Sequence, residues 1–198
     1  MIDDAARTAA PPLPHGIPTA VEVFAGTRSA PASPAPDREM KDALRMHAAG
    51  VALVTTETQG GPVGLTITSL SSVAVDPRVL MFSFTHHTGA AEAILEAPSF
   101  VIHLLRDANA GIALSFGTAR GARFTEDQHW SRLPSGEPYL PSAGYAIRCT
   151  RRDLLTAGDS RIVVADVVEI VSCTPGPPLV YCDRVFHTLS DLDALRTP

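Results

Sequence analysis

The residues of this chain best suited to chemistry are concentrated in one uncharged run and the turn after it. From Gly61 to Phe84 (GPVGLTITSLSSVAVDPRVLMFSF), two apolar, β-branched segments flank the hydroxyl cluster Thr66, Thr68, Ser69, Ser71 and Ser72, and no charge occurs between Gly61 and Val75. Strands written this way bury one face and turn small hydroxyl donors to the other. A wall of hydroxyls and peptide groups suits a large, flat ligand with a polar edge. Just beyond it, His86-His87-Thr88 stands where an apolar strand meets a helix N-terminus. The unpaired N–H groups and partial positive charge of such an end favour a phosphate. Thr88 there either caps the helix and donates to a phosphate oxygen, or is a plain N-cap beside two surface histidines. Adjacent strand histidines point to opposite sides, so no metal site is read from them.

Other chemistries lack their residues. Lys41 is the only lysine and lies in an amphipathic segment with no evident pocket, which argues against a Schiff base. G-x-G-x-x-G opening a helix, a P-loop, H-E-x-x-H and G-x-S-x-G are all absent, so the corresponding nucleotide-binding, zincin and nucleophile-elbow readings lose their support. Cys149, Cys173 and Cys182 are odd in number and show no C-x-x-C spacing. They read as structural thiols of a cytoplasmic protein.

The elements that must position these residues form a strand-rich pattern. Asp37 is a plausible N-cap for a short helix through Ala48, with Met40, Leu44 and His47 on one side. A strand over Val51–Thr56 and the Gly60-Gly61-Pro62 turn lead into the uncharged strand pair, which turns at Asp76-Pro77. Thr88 then caps a helix with Ala91, Ile94 and Leu95 inward, ended by Pro98. Ser99–Leu105 reads as a buried strand, and Asp107 starts a helix with Ile112, Ala113 and Phe116 inward. After a polar loop around Trp130, long strands over Tyr145–Leu155 and Arg161–Val171 are joined by an Ala157-Gly158-Asp159 turn. Short strands over Leu179–Tyr181 and Val185–Leu189 complete it. Many strands with few short helices suggest a mainly β fold, a closed antiparallel barrel with helical insertions.

The 198 residues suit one domain with a substantial core, and 45% hydrophobic against 19% charged residues favours folding. A net charge of −5 argues against a general nucleic-acid binder. No signal peptide and no membrane span is read. Residues 1–36 stand apart as a Pro/Ala-rich extension, either a flexible tail or an arm crossing a dimer interface, and residues 37–198 form the expected domain.

The uncharged run resembles the flavin reductase family, whose strand pair follows G-(M/L)-T-x-x-S-(F/L)-x-S-V-x-x-D-P. Gly64, Leu65, Thr66, Ser69, Leu70, Ser72, Val73, Asp76 and Pro77 match it. The order of looser motifs extends the likeness over roughly residues 40–190. Phe116 ends a helix as in the family's L-A-x-x-F, and Phe124, Trp130, Gly136, Pro138 and Leu140 meet its F…W…G-x-P-x-L loop. The family's helix junction is met only loosely by HHTGAA. His103, in VIHLL, replaces the asparagine of V-N-V-L; by itself, a lone strand histidine reads as structural.

The resemblance implies an FMN-binding split barrel working as a homodimer, with FMN or FAD as flavin and NADH or NADPH as co-substrate. The flavin ring would lie against Thr66, Ile67, Thr68, Ser69 and Leu70, with Ser83, His86, His87, Thr88, His103 and Phe116 completing the binding set. Reduced flavin would pass to a partner oxygenase. Where the family reads G-D-H, this chain has Gly158-Asp159-Ser160, so Ser160 takes the nicotinamide-side position with a residue that neither stacks nor carries charge. Two other readings stay open: a flavin-binding protein with lost or altered pyridine-nucleotide chemistry, and a split-barrel haem or planar-ligand module using His47, His86, His87 or His103 as axial ligand.

Overall fold

The structure, a computed structural model, describes residues 38–85 and 89–189. The 1–36 extension and the His86-His87-Thr88 junction lie outside the described residues.

The β-branched and apolar runs form strands as the patterning predicts. In chain order these are β1 (Ala49–Gly50), β2 (Ala52–Thr58), β3 (Gly61–Ile67), β4 (Ser71–Ala74), β5 (Val79–Phe84), β6 (Ser99–Leu104), β7 (Ser131–Arg132), β8 (Pro138–Tyr139), β9 (Tyr145–Ala157), β10 (Ser160–Ser172), β11 (Leu179–Cys182) and β12 (Val185–Thr188). Three α-helices are interposed, α1 (Arg38–Arg45), α2 (Ala90–Glu96) and α3 (Ala110–Gly117). Seven strands make one antiparallel sheet in the order β3-β2-β6-β9-β10-β5-β4, and β1-β11-β12 make a second.

Strand β2 is central because it is apolar on both faces. Ala52 and Val54 enter a core with Phe82, Phe84, Phe100, Ile102, Val163 and Ile94 of α2. Val51, just before β2, and Leu53 face the other way, into a core with Phe116 and Ala113 of α3, Leu140 and Leu179. The sheet therefore carries α2 on one side and α3 with the small sheet on the other. The long β9–β10 hairpin shifts register between Val164 and Ala165 and again between Val167 and Glu169. Bulges of this kind increase bend and twist.

The expected closed barrel is not traced by continuous backbone pairing. Strands β3 and β4 remain the two ends of the large sheet among the described residues. A side chain spans the gap instead. Ser69, in the loop between β3 and β4, donates its hydroxyl to the Ser83 carbonyl at 3.0 Å and accepts from the Ser83 N–H at 3.0 Å. One serine thus imitates a β-bridge and fastens the end of β3 to β5.

Two helices differ in detail from the sequence reading. Helix α1 buries none of its residues; Met40 and Leu44 are exposed. The cap of α2 is Gly89, not Thr88, and its φ of 62° is a left-handed conformation that glycine adopts without a Cβ clash. Its inward face is as expected, with Ala91 and Ile94 buried.

Candidate functional site

A cleft of about 640 Å³ opens where the end of β3, the end of β5 and the start of α2 meet. This volume lies in the range of small-molecule sites, about 300–1,000 Å³. Its walls include Thr66, Ile67, Thr68 and Ser69 on one side and Ser83 with Thr85 on the other. Of the hydroxyl cluster singled out in the sequence, Thr66, Thr68 and Ser69 share this surface, whereas Ser71 and Ser72 lie on β4 outside it.

Each hydroxyl has a distinct task. Thr66 donates to the Ala113 carbonyl at 2.8 Å and ties α3 to β3. Ser69 is committed to Ser83. Thr68 is exposed and makes no hydrogen bond among the described residues, so its hydroxyl is free for a ligand. Ile67 lines the cleft from the core side, whereas Leu70 packs against the core and does not line it.

Two residues assigned to the site through the family resemblance lie elsewhere. Phe116 is fully buried behind β3, packed against Phe124 and Trp130 with ring centroids 5.0 and 5.6 Å away. A Cβ at Gly64 would come within 2.9 Å of that ring, which explains a glycine at this point of β3. Phe116 thus supports the wall from behind and does not touch the cleft. His103 is also fully buried; its Nδ1 lies 2.9 Å from the Leu53 carbonyl, and its ring stands edge-on to Trp130 at 5.9 Å. Burial, partly offset by that hydrogen bond, lowers its pKa to about 4. A neutral Nδ1–H donor follows, and neither flavin contact nor haem ligation is available to His103. Its Nε2 has no hydrogen-bond partner among the described residues.

Ser160 opens β10 and pairs with Ala157 at the tip of the hairpin. The next pair along β10 is Arg161 with Phe84, which places Ser160 beside Thr85 at the rim of the cleft. It does not line the cleft itself.

Sequence reasoning missed the site's charges. Among the described residues, no acidic side chain lines the cleft, and Arg123 is the one charged residue in its lining. Arg123 donates to the Thr118 carbonyl at 2.7 Å and lies 5.7 Å from the Phe116 ring centroid. These partners and the Gly64 carbonyl, 3.5 Å away, are uncharged, and no carboxylate pairs with Arg123 among the described residues. Arg161 shares a sheet face with Phe84, is half-buried and has no ion-pair partner among the described residues. The available signal was the cation just ahead of Phe124, the first aromatic of the long-loop motif.

The loop carrying Arg123 and Trp130 is held by a buried carboxylate. Glu137 is 3% exposed and accepts from the hydroxyls of Ser99 and Ser135 and from Arg148 Nε at 2.8 Å. Burial alone would raise its pKa, but hydrogen bonds from Ser135, Ser99, its own backbone and Arg148 outweigh this and hold it at about 2. Cys149 is buried in β9. Burial first, then Asp166, pushes its thiol up to about 12 against a smaller pull from Arg148, so it is inert.

Fold and cleft together define a mainly β protein with a cleft lined by backbone, hydroxyl groups and an arginine. The flavin reductase like domain family matches residues 44–190, and the chain belongs to that family. It is 34% identical over 132 residues to an NADH:FMN oxidoreductase of Rhodococcus qingshengii, covering 67% of this chain and 69% of that one. It is 32% identical over 168 residues to the FMN reductase (NADH) RutF 2 of Rhizobium rhizogenes, covering 82% and 96%. A solved structure, a nitrilotriacetate monooxygenase component B homolog from Mycobacterium thermoresistibile, matches with a TM-score of 0.75 at 21% identity, over 81% of this chain and 90% of that one. That last likeness is one of fold.

Proposed function

We propose that this chain is an NADH:flavin oxidoreductase that takes FMN into the cleft beside Thr66–Ser69 and supplies reduced flavin to a separate oxygenase. The observation that carries the reading is the cleft itself: among the described residues, a hydroxyl and peptide wall, no acidic lining residue, and an arginine without an ion-pair partner. The donor set fits a flavin. Peptide groups and the free Thr68 hydroxyl suit the polar edge of the ring, and the cationic side suits the phosphate. When bound, the flavin supplies a two-electron acceptor for hydride. The protein's part is then positional: the Ser69–Ser83 bridge fixes the wall, and Gly64 with Phe116 sets the depth of β3 behind it. No side-chain acid or base is required, in keeping with a cleft whose one charged lining residue, among the described residues, is an arginine.

FMN rather than FAD, and NADH rather than NADPH, are supported by the names of the two relatives. An oxygenase partner is supported by the family resemblance and by the name of the solved neighbour, a monooxygenase component. The fold is read as the FMN-binding split-barrel type, its seam fastened by Ser69.

A homodimer belongs to the same reading. Met81 is 39% exposed and pairs with both Ser71 and Val164, on an outer face of β4, β5 and β10 that carries little charge. Light scattering should give twice the chain mass; a monomer with FMN bound would contradict this. Residence in the cytoplasm is supported by three unpaired cysteines, and no described helix is long and apolar enough to cross a membrane.

The function is tested by titrating FMN against Trp130 fluorescence and then following NADH consumption. Saturable quenching and FMN-dependent NADH oxidation are expected. Absence of quenching together with FMN-independent NADH consumption would reject the reading.

A further inference from the structure

The loop that brings Arg123 to the cleft is organised around one side chain, Gln128. Its Nε2 donates to the Ala122 carbonyl, immediately ahead of Arg123, at 3.2 Å. Its Oε1 accepts from the indole N–H of Trp130 at 2.8 Å and from the Thr125 N–H at 3.3 Å. We propose that Gln128 is a positioning residue for flavin recognition: it holds Arg123 in place for the phosphate and thereby sets the preference of the cleft for a phosphorylated flavin. This rests on the flavin reading of the cleft.

Trp130 is the fixed end of the arrangement. Its ring lies 5.6 Å from that of Phe116 and 5.9 Å from that of His103, centroid to centroid, and both of these are fully buried. Close-packed rings cannot drift, so the core locates the indole N–H from which Gln128 is held. The variable end is the backbone around Arg123. Phe124 has a φ of 54°, and His129, which ends the Glu126–Gln128 turn, also has a φ of 54°. Left-handed backbone is uncommon for a residue with a Cβ and persists where the surroundings hold it. The reversal at Phe124 lets its ring pack 4.7 Å from Trp130 and 5.0 Å from Phe116, while Arg123 beside it lines the cleft. Gln128 bonds the peptide groups on either side of this reversal, at Ala122 and Thr125.

The selectivity follows from what Gln128 does not touch. It is not part of the cleft lining, and the Thr66–Ser69 wall stands without it. Arg123 alone among the lining residues depends on the segment it clamps. A guanidinium bonds a phosphate through a planar fork, so its usefulness falls quickly when its backbone wanders. Loss of Gln128 should therefore be felt by FMN and hardly at all by riboflavin, which offers the same ring without the phosphate.

Calorimetric titration of the whole chain with FMN and with riboflavin tests this. Gln128→Ala should raise the Kd for FMN about fivefold and leave that for riboflavin within about twofold. In the Arg123→Leu background the same change should cost FMN less than about twofold, because the residue being positioned is gone. Trp130→Phe keeps an aromatic ring and removes only the N–H that Gln128 accepts; it should shift FMN in the same direction, by about threefold, and decides the matter if Gln128→Ala does not fold. Equal weakening of FMN and riboflavin would assign Gln128 a merely structural part and overturn the proposal, as would an unchanged FMN affinity or a full loss that persists without Arg123. A wild-type protein that binds riboflavin as tightly as FMN would overturn it too, while leaving the flavin reading intact. Binding of neither flavin would reject that reading and this proposal with it.

Discussion

Replacing Ser69 with alanine should loosen the cleft without emptying the core. The wild-type hydroxyl makes two hydrogen bonds, both 3.0 Å long, to the N–H and carbonyl of Ser83. Each is worth about 0.5–1.5 kcal/mol net, so the bridge contributes roughly 1–3 kcal/mol. Ser69 is exposed, and the freed Ser83 groups can turn to water, which places the loss near the low end. The expected outcome is about 1 kcal/mol, or about fivefold in the Kd for FMN. Titration of FMN against Trp130 fluorescence measures it. Ser69→Thr retains the hydroxyl and should restore most of the affinity, while Ser69→Phe should lose the bridge and also crowd the ligand. Ser71→Ala is the control, since that hydroxyl reaches only the Ser72 carbonyl at 3.4 Å. An alanine variant that binds FMN as tightly as wild type would refute the idea that this side chain holds the wall in place.

Other perturbations address other parts of the account. Arg123→Leu removes the arginine of the cleft lining and should weaken FMN about tenfold in the same titration, with riboflavin affected less because it lacks the phosphate. Ser160→His adds a stacking surface and a donor at the rim, each worth about 1 kcal/mol, so anaerobic reduction of the flavin should quicken about tenfold or more with little change in FMN affinity. An unchanged rate would make Ser160 an innocent replacement. Glu137 titrates at about 2 in the fold against an ordinary 4.5, so its stabilisation is complete above pH 4.5 and is lost as pH falls towards 2. That difference corresponds to about 3 kcal/mol, which thermal melts between these pH values should show and Glu137→Gln should abolish.

The legible part of this molecule was local. The uncharged run wrote its own strands and hydroxyl face, because alternation and β-branching act within a few residues. The β9–β10 hairpin was readable for the same reason, with Gly158 marking its turn. What escaped depends on contacts between distant residues. Nothing near Ser69 announces that its hydroxyl will meet the backbone of Ser83, nor does anything near Arg45 announce that it will pair with Asp183. Glu137 looks like a loop acid until Ser99 and Arg148 arrive from β6 and β9. Family likeness also placed Phe116 and His103 in the lining of the cleft, which neither of them reaches. Both lie one layer behind, where burial and the Leu53 carbonyl account for His103 as the simpler structural reading of a lone strand histidine did.

The most direct test of the central claim is a single turnover. The protein is loaded with FMN, freed of oxygen and mixed rapidly with NADH while the visible absorbance of oxidised flavin is followed. Bleaching of the bound flavin at a rate that saturates with NADH, well above that of free FMN under the same conditions, is the predicted result. A flavin that binds in the cleft but is reduced no faster than in free solution would contradict the account.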